Sequence, residues 1–337
     1  MKRIFFTLIG ILYANIAFSQ SKNNEPVNKT EIVADKPAEH FIKEIRDIVK
    51  QNSLFRDKLN WNAIDENIKK LSVGMKTTND TKPVIDYIIS ELRKVGDKHS
   101  FFMSIAATTN YSNPTKKLEG ATSKLLPGDI GYINVPQFGS VNDSANDSAM
   151  TVYAQNIQNL IKDLDTENNI KGWIIDLRKN TGGNMYPMIT GLGPLLDKGT
   201  LGYFVSNNKK NPWKLMEKGE KMWSSNAYVP NAYKLKKRPE RIALLVGGRT
   251  ASSGEFTVVS FIGQNNTRLF GQPTAGYTTG NRTYVLSNGS SLMLSISNAA
   301  DRDKKDHIGA INPDVLVEQS VNKDADLEAA SKWVMGF

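Results

Sequence analysis

An α/β fold carried behind a helical N-terminal region is the class that this sequence predicts, and three observations predict it. From Gly128 onward, apolar runs of strand length alternate with amphipathic helical stretches, the pattern of a parallel or mixed sheet with crossover helices. Before residue 105 the apolar residues recur at helical spacing instead. Across the 337 residues, 39% hydrophobic and 23% charged content without a low-complexity tract is ordinary globular composition, so only short segments are expected outside a packed core.

In chain order, Met1 to Ser19 carries Lys2-Arg3, an apolar stretch from Ile4 to Ala17, and small residues before Gln20, which reads as a signal peptide over 1–19. The apolar stretch is shorter than the roughly 20 residues of a membrane span, so no stable membrane insertion is expected. Residues 20–36 are polar and contain Pro26, as a linker would. A helical subdomain follows over 37–105. Phe41, Ile45, Ile48 and Val49 form one stripe, Trp61, Ile64, Ile68 and Leu71 a second, and Val84, Ile88 and Leu92 a third. Asp80 or Thr81 serves to cap the third helix, Pro83 suits its first turn, and Gly96 closes it, which leaves Asp97-Lys98-His99-Ser100 on a loop at its end.

The core is placed at 120–337. Strands are expected at Ile130–Val135, Ile170–Leu177, Leu201–Val205, Ile242–Val246, Arg268–Phe270, Thr283–Leu286 and Leu292–Ser297. Helices are expected through Tyr153 to Leu164, Met185 to Leu196 and Phe256 to Ile262. The aromatic segment Trp213 to Tyr233 reads equally as a lid over a groove or as peripheral packing.

Composition removes several chemistries. With no Cys there is no thiol nucleophile, disulfide or Cys-held zinc or iron–sulfur cluster, and three His (His40, His99, His307) leave little for a histidine metal centre. No metal and no cofactor is expected. The formal charge of +9 falls by two if Lys2 and Arg3 leave with the leader, and the excess is diffuse. Its densest cluster, Lys234 to Arg241, lacks interleaved aromatics, so nucleic acid is not an expected partner.

Two turns carry the functional signal. Ile242–Val246 runs through Gly247-Gly248-Arg249-Thr250-Ala251 into Ser252 at the start of a helix, where free backbone N–H groups favour an anion. Ser at such a turn is also an ordinary helix cap, and the Gly-x-Ser-x-Gly elbow is absent. The second turn, Asp176-Leu-Arg-Lys-Asn-Thr-Gly182-Gly183, follows another buried strand. One of its glycine N–H groups could join that of Ser253 as an oxyanion hole.

With Gly131-Tyr-Ile133, Asp176–Gly183, Thr250-Ala-Ser-Ser-Gly-Glu255, Gly271-Gln-Pro-Thr-Ala-Gly276 and Ile311-Asn-Pro-Asp314 in one order over about 128–317, the sequence resembles the tail-specific, or C-terminal-processing, serine peptidases, a family that includes the tricorn core and the interphotoreceptor retinoid-binding protein. The resemblance implies an α/β serine-peptidase core akin to those of crotonase and Clp protease. It implies Ser252 as nucleophile and backbone donors from Gly182 or Gly183 with Ser253. The Ser/Lys branch has a lysine where this chain has Tyr277, so the tricorn-like branch applies, with His99 as general base and Ser100 and Tyr277 in support. The family's glutamate has no counterpart in Asp301–Gly309. Asp306 is the expected acid, with Asp301 next and His307 if the register slips, while Glu255 is expected to support the helix start. The interval from Ser100 to Gly128 is too short for an inserted PDZ module. The expected function is an exported, periplasmic or secreted peptidase acting on peptides or unfolded chains by acyl transfer. The rivals are an inactive binding protein for an apolar ligand or peptide on the same fold, and an acyl-CoA enzyme of the crotonase type, against which export argues.

Overall fold

The computed structural model describes residues 37–112, 119–139, 143–223 and 225–337. The expected signal peptide and linker lie outside the described residues. Three helices open the described chain: α1 (Pro37–Asn52), α2 (Trp61–Leu71) and α3 (Lys82–Lys94). β1 (Phe101–Met103), α4 (Ile105–Ser112), β2 (Thr122–Leu126), β3 (Ile130–Asn134), α5 (Asp143–Glu167), β4 (Gly172–Asp176) and α6 (Met185–Gly191) follow. Next come β5 (Gly199–Ser206), β6 (Lys209–Leu215), β7 (Arg241–Val246), α7 (Ser253–Val259), β8 (Thr267–Gly271), β9 (Thr279–Val285) and β10 (Ser291–Asp301). β11 (Asp306–His307), β12 (Val315–Leu316) and α8 (Ala325–Met335) end the chain.

Two sheets divide the strands. The first runs β12-β8-β7-β4-β3-β2, parallel throughout except for the antiparallel β2 edge. Its central strands are buried on both faces, which is why they read as continuous apolar runs. Alternation sorts them: Trp173 and Ile175 of β4 join Leu244 and Val246 of β7 in the large core beneath α5 and α6, with Phe256 of α7. Ile174, Ala243 and Leu245 face the other way, onto Ala330 and Val334 of α8.

The second sheet is antiparallel, β1-β10-β5-β6, with β9 and β11 also paired to β10. Its β9–β10 end carries Leu286, Leu292 and Leu294 into a separate core with Phe41, Ile45, Val49, Ile64, Ile88 and Leu92 of the three helices. The helical stripes of the N-terminal region thus bury against β10, and this packing sets the 97–100 loop beside that strand.

Several boundaries differ from expectation for local reasons. α6 stops at Gly191 and hands over to a tight turn at Gly193–Leu195, because Pro194 cannot continue the helix. The capping of α3 is done one turn earlier, where Asp80 accepts from the Thr77 N–H at 2.8 Å. β6 and α8 had no sequence expectation: β6 is broken by Lys209, Lys210, Asn211 and Pro212, and α8 has only a narrow apolar stripe. Trp213 is fully buried against Phe204 and Phe256, with ring centroids 4.8 and 5.3 Å away, so its role is core packing.

Candidate active site

Ser252 sits where β7 has ended and α7 begins, with φ +54° and ψ −122°. A non-glycine residue in this sparsely populated region costs about 1–3 kcal/mol and persists only when its surroundings enforce it. The enforcement is visible. Thr250 Oγ1 donates to the Leu177 carbonyl at 2.9 Å, the Ala251 N–H to the Asn180 carbonyl at 3.0 Å, and the Ala275 N–H to the Thr250 carbonyl at 2.9 Å. The Ser252 N–H donates to Glu255 Oε2 at 2.9 Å.

Glu255 is fully buried and serves as the keystone of this turn. Besides Ser252 it accepts from the N–H groups of Gly276 and Tyr277, each at 2.8 Å, and from the Thr274 hydroxyl. Burial pushes its carboxyl above the usual range, and these four donors pull the other way. The Gly271–Gly276 and Thr250–Glu255 segments are therefore one structural unit, joined by the Glu255 side chain and by the Ala275 N–H bond to the Thr250 carbonyl.

The Asp176–Gly183 turn has two parts with separate duties. Asp176 and Arg178 form a forked ion pair at 2.6 Å, and Arg178 reaches on to Asp324 at 2.6 Å and Asp326 at 3.3 Å, tying the end of β4 to the start of α8. Asn180, fully buried, staples the turn: its Nδ2 donates to the Val135 carbonyl at 3.0 Å and its Oδ1 accepts from the Gly182 N–H at 3.0 Å. A β-carbon on Gly182 would lie 2.8 Å from Ser252 Cβ, and one on Gly183 only 1.7 Å from the Phe138 carbonyl oxygen. Both glycines also have positive φ, so no other residue fits this approach.

That geometry separates the three expected oxyanion donors. The Gly182 amide is taken by Asn180, a correction to its expected role, because the staple that shapes the turn consumes that N–H. Among the described hydrogen bonds, the amides of Gly183 and Ser253 have no acceptor. The Ser253 hydroxyl donates to the Gly183 carbonyl at 2.7 Å and so clips the two amides' residues together.

His99 is half-buried on the loop after α3. Its Nδ1 contacts the Thr279 hydroxyl at 2.9 Å and the Thr279 carbonyl at 3.1 Å, and its ring meets Tyr277 edge-on at 5.2 Å between centroids. Burial lowers the imidazole pKa below its ordinary 6.5, opposed by the Thr279 carbonyl and the charge of Asp97. Tyr277 bridges the two halves, since its ring touches His99 while its N–H is held by the same Glu255 oxygen that holds Ser252. Among the described hydrogen bonds, none involves His99 Nε2, and none joins His99 to Ser252.

The expected acid is not at His99. Asp306 is exposed and pairs with Lys210 at 2.6 Å across the β11 edge, because the β10–β11 hairpin turns it outward. Its alternatives, Asp301 and His307, pair with each other at 2.9 Å. Ser100 is buried and donates to Asp97 while accepting from the Ser295 N–H at 2.9 Å. Asn180, Thr279, Ser295 and Asp97 also stand in these contacts, and the sequence does not single them out. Asn180 lay within a recognised motif, whereas Thr279 and Ser295 are ordinary strand residues with no local signal. Among the described residues no group of His, Asp and Glu could hold a metal ion, and no helix is long and apolar enough to cross a membrane.

Comparison with known proteins adds the lineage. Residues 129–317 match the profile of peptidase family S41. The nisin-resistance protein of Lactococcus lactis subsp. lactis is 31% identical over 288 residues, which span 83% of this chain and 82% of that protein. A lipoprotein from Streptococcus agalactiae superposes with a TM-score of 0.71 and 27% identity over 89% of this chain and 96% of that one. The photosystem II D1 C-terminal processing protease shares the fold, with a TM-score of 0.58 and 14% identity over 88% and 97% of the two chains.

Proposed function

Because the chain belongs to peptidase family S41, the tail-specific serine peptidases, we propose that it is an active, exported peptidase that cleaves peptide bonds by acyl transfer through Ser252 with His99 as general base. The observation that carries this reading is the strained backbone at Ser252, enforced by Glu255 and by the glycine approach on its other side. A helix cap alone requires no such strain.

The contacts support a mechanism of acyl transfer. With Nδ1–H turned to Thr279, Nε2 of neutral His99 holds the lone pair that takes the Ser252 proton as Oγ attacks the scissile carbonyl. The tetrahedral oxyanion is received by the amides of Gly183 and Ser253, the two free donors beside the nucleophile. The imidazolium then protonates the leaving amine, and water, deprotonated by the same ring, releases the acyl group. Tyr277 limits the ring's swing by its edge contact. No step calls for a metal or an organic cofactor. The helical subdomain at 37–105 supplies the base and the core at 120–337 supplies the nucleophile.

For substrate we propose peptides or unfolded chain ends, and nisin is the first peptide to try, since a relative of similar length is a nisin-resistance protein. Export is supported by the leader-like start of the chain and by the lipoprotein relative. Incubation of the purified protein with nisin and with casein, read by mass spectrometry, is expected to give new fragments that Ser252→Ala does not produce. Fragments produced equally by Ser252→Ala, or none with any peptide together with no fluorophosphonate labelling, would replace the peptidase by the inactive binding protein.

A further inference from the structure

We propose that Asp97 is a positioning residue for His99, acting through the hydroxyls of Ser295 and Thr279. The inference rests on His99 being the base, and it supplies the carboxylate that Asp306 does not. His99 Nδ1 lies 2.9 Å from Thr279 Oγ1, Thr279 Oγ1 lies 3.3 Å from Ser295 Oγ, and Ser295 Oγ donates to Asp97 Oδ1 at 3.0 Å. The three links join the loop before β1 to β9 and β10, segments almost 200 residues apart in sequence.

Donor accounting gives the chain one direction. A base with its lone pair on Nε2 carries its proton on Nδ1, where the Thr279 carbonyl at 3.1 Å and Thr279 Oγ1 at 2.9 Å share it; with Oγ1 accepting from the ring, its own hydrogen turns to Ser295. Ser295 in turn donates to Asp97, which accepts only. The carboxylate is 1% exposed, and no described ion pair neutralises it. Its four donors are the N–H groups of His99 and Ser100, both at 2.9 Å, and the hydroxyls of Ser100 and Ser295. Hydrogen bonds aligned head to tail polarise one another, so the buried charge fixes the ring's tautomer and stabilises the imidazolium without touching it. A loop needing only the two N–H bonds of Asp97 would have no use for the hydroxyl line.

The groups facing the imidazole are Asp97 on its own loop, Arg93 at the end of α3, and Tyr277 from the turn before β9, while Glu255 lies behind the Tyr277 amide. Asp97 raises the imidazole's proton affinity and Arg93 lowers it, so removing the Asp97 charge moves the acid limb of activity to lower pH.

The test is the second-order rate of labelling of the full chain by a rhodamine fluorophosphonate, followed across the acid limb. Ser295→Ala and Thr279→Val are each expected to slow labelling roughly tenfold, the scale of one hydrogen bond to a charged group, with the double variant no slower than either. Ser295→Thr is expected to restore the rate. Asp97→Asn is expected to shift the limb measurably to lower pH. Independent, multiplying losses in the double variant, or full labelling rates in both single variants, would overturn the relay even if Asp97→Asn fails to fold. An unshifted limb in a folded Asp97→Asn would do the same. His99→Ala run in parallel separates the two ideas: if it labels like the wild type, the base assignment itself falls, whereas if it is slow while the relay variants are normal, only the relay falls.

Discussion

The two halves of the proposed site, one around Ser252 and one around His99, are built by opposite means. The nucleophile half consists of two turns at the carboxyl ends of adjacent parallel strands, β4 and β7, and nearly all of it lies in two short segments, 176–183 and 250–255. The base half is assembled from a loop at the end of α3 and from the β9–β10 ladder of the other sheet, with Asp97, Thr279 and Ser295 each contributing one polar atom. The contrast shows where rigidity comes from. Around Ser252 it comes from backbone: enforced φ, glycine approaches and a buried carboxylate gripping amides. Around His99 it comes from side-chain hydroxyls, which are replaceable one at a time.

Breaking the nucleophile half should have the largest consequences. Ser252→Ala is expected to lower fluorophosphonate labelling and peptide cleavage by roughly 10⁴-fold or more, with a loss of stability of only about 1 kcal/mol from the Ser252–Glu255 capping box. His99→Ala should cost about 10²- to 10⁴-fold in the same assays, the usual worth of a general base. Labelling of either variant at the wild-type rate would contradict the assignment.

Stability sharpens the same contrast. Gly183→Ala, forced against the Phe138 carbonyl at positive φ, should destabilise by about 3 kcal/mol or more in urea unfolding and abolish labelling. Glu255→Gln turns an amide N–H₂ onto a pair of donors and leaves buried groups unpaired, so a loss of about 2–4 kcal/mol is expected. A near-neutral result for Glu255→Gln would show that Ser252 is held by something else.

The smallest effects concern pH and the Tyr277 hydroxyl. The acid limb of labelling should inflect below pH 6.5, because burial lowers the His99 pKa and only the neutral ring accepts the proton. The sign for stability is the same: the unfolded chain protonates first as pH falls through 6.5, so folding weakens there rather than above it. Tyr277→Phe should leave labelling within about twofold, since its ring edge and its backbone N–H, not its hydroxyl, make the contacts.

How much of this was legible in the sequence follows from the same division. The parallel strands announce themselves as apolar runs because both their faces are buried, and the helical stripes at Phe41, Ile64 and Ile88 are the residues that meet β10. Ser252, Gly183 and Ser253 are candidates that a sequence can offer, because the turns that carry them are local. The choice between Gly182 and Gly183 stays open in the sequence, which cannot reveal that Asn180 Oδ1 takes the Gly182 amide. Asp306 follows from position in a motif order, which carries no sign that the residue turns outward to Lys210, and the carboxylate proposed to act on the imidazole lies two residues before His99. Thr279 and Ser295 carry no sequence signature, as pairing of β9 with β10 is what brings them into line.

Peptide mapping of the fluorophosphonate adduct tests the central assignment most directly. The account predicts a single modified peptide bearing the adduct on Ser252, absent from Ser252→Ala and formed far more slowly in His99→Ala. An adduct on another residue, or equal labelling in Ser252→Ala, would contradict it.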